Sequence, residues 1–258
     1  MTREDVGDLL AELGSRWKFE PIEELPEGYC SRVFADSTRV LKIPWRGEEL
    51  SAIWANRALS EAGGPQIFEA DEESGAVLME RLIPGTKLAE TFTDDASKLQ
   101  ITAELVNRCR RLQTGEAIPI VGYLKLCHPL LPLLTRTTVK ECFLHGDLHH
   151  ENILLHEGRW VPIDPKGLVG DVAFEPSAFL RNPIGAIEHD PNLIEVTRTR
   201  VHSFARAINC PAWRIAAWAT IDRISIANEY GRTTIDDKLF FCFKRILFEE
   251  NPELADLL

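Results

Sequence analysis

The chain has 258 residues, enough for one large domain or two small lobes, and a hydrophobic content of 45% that suits a soluble globular fold. Its formal net charge of −11 opposes binding to nucleic acid or to an anionic membrane surface, and favours a cationic small molecule or partner. The apolar stretch around Leu130–Leu134 is short and broken by Pro129 and Pro132, so no membrane span is expected. The start M-T-R-E-D-V is charged and lacks an apolar signal core, and six cysteines are scattered without a C-x-x-C pair. Reduced thiols in a cytoplasm are the expectation.

In chain order, residues 2–13 predict a short amphipathic helix, with Val6, Leu9, Leu10 and Leu13 at helical spacing and Gly14 past its end. A strand is expected over Trp17–Ile22, then paired strands at Val33–Phe34 and Arg39–Ile43. Lys42 interrupts the apolar run Val40–Ile43, a costly place for an ammonium unless it reaches a partner or snorkels to water. Its functional reading is a phosphate-contacting lysine. The helix expected over Glu48–Ala62 has two acids in its first turn. Either is favourable there for the helix alone; Glu49, beside Leu50 and one turn before Ile53, is preferred as a partner for Lys42, with Glu48 the alternate. Strands follow at Gln66–Ala70 and Ala76–Arg81.

A composition break at Met79–Gly85 places a hinge at about residues 80–85, between an N-terminal lobe over 1–82 and a helical lobe over 83–258. The carbonyl of Glu80 and the amide of Leu82 are the hinge groups that would read adenine. The second half predicts a helix from a Thr93 cap to about Leu112, a less regular one near Gly122–Thr135, and a short one from Glu175-Pro176 to Leu180. Longer helices are expected from Asp190-Pro191 to Asn209, from Pro211 to about Tyr230, and over Asp236–Phe248, with a last one over Pro252–Leu257.

The chemistry concentrates in Leu144–Asp164, L-H-G-D-L-H-H-E-N-I-L-L-H-E-G-R-W-V-P-I-D. Asp147 and Asn152 stand at the spacing of a kinase catalytic loop, where the acid takes the proton of the attacking hydroxyl and the amide holds magnesium. Asp164 ends the second strand of an expected hairpin turning at Glu157-Gly158, where a second magnesium ligand belongs. Magnesium is a hard cation that takes oxygen ligands, which Asn and Asp supply. His145 and His149 are four apart, but Gly146 and the extended run Ile153–Leu155 argue against the helix that a zinc pair would need.

These residues occur in kinase order, and the chain resembles the aminoglycoside phosphotransferases, in the branch of the streptomycin 6-kinases and hydroxyurea kinases. The motifs that carry the resemblance are V-L-K-I-P at 40–44, D-E-E-S-G-A-V-L-M-E-R-L at 71–82, L-H-G-D-L-H-H-E-N-I-L at 144–154 and W-V-P-I-D-P-K-G-L-V-G-D at 160–171. The resemblance implies an α+β, two-lobed protein-kinase-like fold, with a small β-rich lobe before a larger helical one. It implies ATP with magnesium, and transfer of the γ-phosphoryl to a hydroxyl of a small molecule such as streptomycin. Asp147 would be the base, Asn152 and Asp164 the magnesium ligands, and Lys42 with Glu49 the holders of the α- and β-phosphates. The loop P-E-G-Y-C-S-R-V at 26–33 has one glycine rather than a glycine-rich pattern, so Ser31 and backbone amides would cover the phosphates. Glu175 stands where the related pattern has Asp. A cationic acceptor would call on carboxylates of the helical lobe, and Asp222, Glu229 and Glu188 are available. The competing readings are a metabolic kinase for a sugar, amino alcohol or nucleoside, and a nucleotide-binding protein without catalysis.

Overall fold

In a computed structural model, residues 5–26, 31–45, 52–91, 93–183, 187–231 and 237–257 are described. The first helix, α1 (Asp5–Trp17), lies across one face of a five-stranded antiparallel sheet formed by β1 (Glu23–Glu24), β2 (Ser31–Ala35), β3 (Arg39–Pro44), β4 (Ile67–Asp71) and β5 (Ala76–Glu80). The strand order is β1-β2-β3-β5-β4. Val6 and Leu13 of α1 join Phe19, Phe34, Leu41, Ile43 and Leu78 in one buried cluster. The alternation in β3 that sends Leu41 and Ile43 into this core leaves Lys42 on the opposite face. That face packs Ile53 of α2 (Ala52–Glu61) against Val77 and Met79.

α1 runs past Gly14 to Trp17, and residues 18–22 form no strand. Gly14 sits inside the last turn, where its carbonyl accepts from Phe19 and an added Cβ would stand 2.9 Å from the Phe19 oxygen. A close approach, rather than a helix stop, explains this glycine.

The larger lobe begins with β6 (Pro84–Lys87) and α3 (Asp95–Cys109), followed by β7 (Ile118–Pro119), α4 (Ile120–Leu124) and α5 (Leu130–Arg136). Asp94, not Thr93, caps α3, its carboxylate accepting from the Ser97 amide. The expected helix over 122–135 is two short helices, because Lys125 ends α4 in the left-handed region and Pro129 caps α5. Then come β8 (Cys142–Leu144), the hairpin β9 (Ile153–His156) and β10 (Arg159–Pro162), and β11 (Leu168–Gly170). The stretch 166–171, whose glycines Gly167 and Gly170 suggest a loop in the sequence, contains a strand, parallel to β7 and antiparallel to β8. The chain finishes with α6 (Ser177–Leu180), α7 (Leu193–Ile208), α8 (Ala212–Glu229) and α9 (Lys238–Glu250), then a 3-10 turn over Pro252–Leu257. Trp218, Phe179, Phe204 and Phe243 are fully buried and centre the core of this lobe.

The two lobes share a third cluster. Leu59 of α2 packs with Cys109 of α3 and Phe143 of β8, and Trp54 and Ala58 of α2 lie against them. The architecture is the two-lobed α+β arrangement that the sequence predicts, a small β-rich lobe before a larger helical one.

Candidate active site

The hairpin β9–β10 is the rigid carrier of the site. Its two-residue turn, Glu157-Gly158, has φ of 47° and 78°, which suits the right-handed twist of tightly paired strands. The register pairs His156 with Arg159 and Ile153 with Pro162. Beyond the paired strands, the Ile163 amide donates to the Asn152 carbonyl at 2.9 Å, so Asn152 and Asp164 lie at one end of the hairpin.

Asp164 follows at a φ of 62° and meets Lys42 across the lobe boundary, with Nζ 2.5 Å from Oδ1. The Asp164 carboxyl is held below its usual range: burial pushes it up, but the Lys42 ammonium outweighs that. The sequence places these two residues 122 positions apart, and the fold brings them into direct contact. Asn152 donates through Nδ2 to the Asp147 carbonyl at 3.0 Å. That commits its amide nitrogen and leaves its oxygen as the donor atom for a cation.

The loop that carries Asp147 is fastened from beneath. His145 is fully buried; its Nε2 donates to the Ile163 carbonyl at 2.8 Å and its Nδ1 accepts from the Asp147 amide at 3.3 Å. Both nitrogens are therefore occupied by backbone, and burial lowers the pKa to about 4. Its neighbour on the far side, His149, lies 3.7 Å from Asp147 Oδ1 and accepts through Nδ1 from Glu151. His150 turns the other way and stacks on Phe179 with ring centroids 4.1 Å apart. The three histidines thus diverge and build no zinc site; among the described residues no cluster of three metal-binding side chains occurs. Two oxygen donors are instead what magnesium uses when phosphate oxygens complete its shell.

Glu175 reaches the loop that carries Asp147 directly. Its carboxyl accepts from the Gly146 amide at 3.1 and 3.4 Å and is fully buried, which drives its pKa up to about 8. Gly146 has a φ of 81°, a conformation that costs a residue with a side chain. Asp171, the last residue of the 160–171 motif, points away from the cleft: it caps a 3-10 turn at Ala173 and accepts from Trp218 and Arg214 of α8.

Among the sequence candidates, Ser31 is buried at the start of β2, and Glu49 and Glu48 lie outside the described residues. Glu80 ends β5, where its carboxylate takes His156 Nε2 at 3.2 Å, while His156 Nδ1 accepts from the Ile83 amide at 2.9 Å. His156 therefore pins the hinge around the buried Leu82, a role the sequence did not signal. Glu188 and Glu229 make no hydrogen bond or ion pair to Asp147 among the described residues; Glu188 is half-buried and Glu229 is exposed. Asp222 does reach the site, but through a cation. Arg181 places Nη1 3.1 Å from Asp222 Oδ2 and Nη2 3.0 Å from Asp147 Oδ1. Arg181 was missed because no motif contains it and 34 residues separate it from Asp147. Its contact exists only once α6 and α8 are packed.

A sequence model described as aminoglycoside/hydroxyurea antibiotic resistance kinase matches residues 132–227, which include the hairpin, Arg181 and Asp222. The streptomycin 6-kinase of Streptomyces griseus is 28% identical over 241 residues, covering 81% of this chain and 78% of that protein. A choline/ethanolamine kinase family protein from Mesorhizobium loti has a similar structure, with a TM-score of 0.64 at 17% identity over 97% of this chain and 96% of that one. An aminoglycoside phosphotransferase solved with ADP and hygromycin B superposes with a TM-score of 0.59 at 14% identity, over 93% of this chain and 98% of that one. Among the described residues no helix is long and apolar enough to cross a membrane.

Proposed function

We propose, for a chain that belongs to the aminoglycoside phosphotransferase family on its streptomycin 6-kinase and hydroxyurea kinase branch, that it transfers the γ-phosphoryl of ATP to a hydroxyl of streptomycin or a closely related aminoglycoside. The observation that supports the reading is the contact between Lys42 and Asp164 beside the Asp147–Asn152 loop, which brings residues of both lobes together that would serve as phosphate-binding cation, metal ligands and base.

In this reading the acceptor hydroxyl gives its proton to Asp147 Oδ2 as its oxygen bonds to the γ-phosphorus. The bond from that phosphorus to the β–γ bridging oxygen breaks, and ADP leaves with the electron pair. Arg181 and His149 both approach Oδ1, so Oδ2 is the oxygen assigned to the acceptor in this reading. Magnesium held by Asn152 Oδ1 and the Asp164 carboxylate would neutralise charge on the phosphate oxygens. Lys42 would hold the α- and β-phosphates, Glu49 would hold Lys42, and Ser31 with the loop before it would cover the phosphates. The Glu80 carbonyl and the Leu82 amide would take the adenine. The streptomycin reading draws support from the named activity of the Streptomyces griseus relative and from the acidity of the chain.

Incubation with ATP, magnesium and streptomycin, followed by phosphorus NMR and mass spectrometry, tests it. One phosphate monoester per ADP is the expected product, and Asp147→Asn should lower kcat by about 10²–10⁴-fold with the Kd for nucleotide little changed. Hydrolysis of ATP without a phosphorylated acceptor would defeat the assignment of substrate. Near-normal transfer by Asp147→Asn would defeat the assignment of base.

A further inference from the structure

Arg181 sits at the C-terminal end of α6, where its amide is tied to the carbonyls of Ser177 and Phe179. Its guanidinium joins two carboxylates that come from distant parts of the lobe, Asp147 at 3.0 Å and Asp222 at 3.1 Å. Asp222 projects from the middle of α8 and is 6% exposed, so it is a fixed anchor and not a mobile surface acid. The other contacts of Asp147 among the described residues run to its backbone, through His145 and Asn152, with His149 Nε2 at a longer 3.7 Å from Oδ1. Arg181 meets the Asp147 carboxylate through Oδ1.

We propose that Arg181, anchored by Asp222, is a positioning residue that fixes the Asp147 carboxylate and keeps Oδ2 turned toward the acceptor hydroxyl. This deepens the reading of Asp147 as the base and rests on it. The planar fork explains the residue type. A guanidinium has separate N–H groups rigidly placed to meet two carboxylates, whereas an ammonium is a point charge on a flexible stem. The same geometry argues against Asp222 as a ligand for the cationic groups of the acceptor, since its charge is already met by Arg181.

The competing explanation is structural: Arg181 neutralises a buried Asp222, and its loss merely leaves that charge unpaired. Variants of the full chain separate the two, with streptomycin, ATP and magnesium as the assay. Arg181→Met should lower kcat by about 10²-fold through misplacement of the base, with KM for ATP moving by less than about twofold. Arg181→Lys should recover only a small part of that loss. Arg181→Met with Asp222→Leu removes both members of the pair and should restore the melting temperature, because no buried charge is stranded. Continued low kcat in this double variant is the expected result. Recovery of kcat together with stability, or full rescue by Arg181→Lys, would overturn the proposal. Crystal structures of the wild type and the double variant read the Asp147 side chain without any assay. A changed or disordered rotamer is expected, and an unchanged one overturns the proposal. Absence of transfer by the wild type would count against streptomycin as acceptor, while the rotamer comparison would still judge the clamp.

Discussion

Burial of the Glu175 carboxyl behind the Asp147 loop pushes its pKa up to about 8, because desolvation outweighs the Gly146 and His145 amides that favour the charged form. The consequence for stability has a definite sign. An unfolded chain loses this proton near pH 4.5, while the folded chain keeps it to about pH 8. Across that window the folded state binds more protons, so rising pH lowers stability, and the loss levels off above the folded pKa. Glu175→Gln keeps an acceptor for the Gly146 amide and never ionises. The stability of the wild type, and with it the melting temperature, should therefore fall relative to Glu175→Gln between about pH 5 and 8, the free energy by up to about 1.4 kcal/mol per pH unit. Parallel melting curves across that range would refute a buried, protonated Glu175. The residue also shows what a sequence can convey at this scale. Asp147, Asn152, Asp164 and Lys42 could be proposed from the sequence because their spacing is tied to one strand–loop–hairpin unit and one strand, and the fold brings Lys42 to Asp164 and Asn152 to Asp147. Glu175 was visible only as an odd residue in a known pattern; the answer to its extra methylene is that it accepts from the loop amide without an intermediary. His156 and Arg181 were not legible, since each acts on a residue far along the chain.

Elements with a strong local signal came through the sequence intact: the β2–β3 and β9–β10 pairs, α7 and α8 follow alternation, turn residues and helical spacing. The failures lie where tertiary contact overrides local preference. Trp17 and Phe19 read as strand residues, yet Trp17 finishes α1 and Phe19 folds under it into the core. The segment 166–171 read as a loop from its glycines, whereas Gly170 lies in a strand beside Ile120 and Gly167 lets the chain pass close to α2. Gly167 has a φ of 67°, and a Cβ there would stand 2.6 Å from that of Ala55. Gly167→Ala should thus destabilise the protein by about 1–3 kcal/mol and displace the segment after Asp164 from α2. Adding Ala55→Gly removes the overlap but not the strained φ. Partial recovery of melting temperature and of phosphoryl transfer is expected in the pair of substitutions. No recovery would mean that the positive φ, and not the approach to α2, is what the glycine serves.

At the scale of the whole molecule the two lobes meet through unlike contacts. The cluster of Trp54, Leu59, Cys109 and Phe143 is apolar and joins α2 to the helical lobe, with Trp54 and Phe143 ring centroids 5.9 Å apart. The Lys42–Asp164 pair is ionic and joins β3 to the segment after β10. Apolar packing has no reason to change when a nucleotide enters, but the ion pair does. If the proposed roles hold, Lys42 turns to the phosphates, and Asp164 then faces a polyanion without that ammonium. A divalent cation resolves that conflict, so nucleotide binding should be strongly linked to magnesium. ATP with magnesium at about a hundredfold over Kd is expected to stabilise the fold by about 2.7 kcal/mol, several degrees in Tm for a chain of this length. ATP with EDTA should give little or none of that gain. Asp164→Asn removes the charge that the metal answers, so it should narrow the difference between the two conditions by weakening the magnesium complex and sparing metal-free binding. Equal shifts for the wild type with and without magnesium would show that Asp164 keeps Lys42 when nucleotide is bound, and would remove Asp164 from the list of metal ligands.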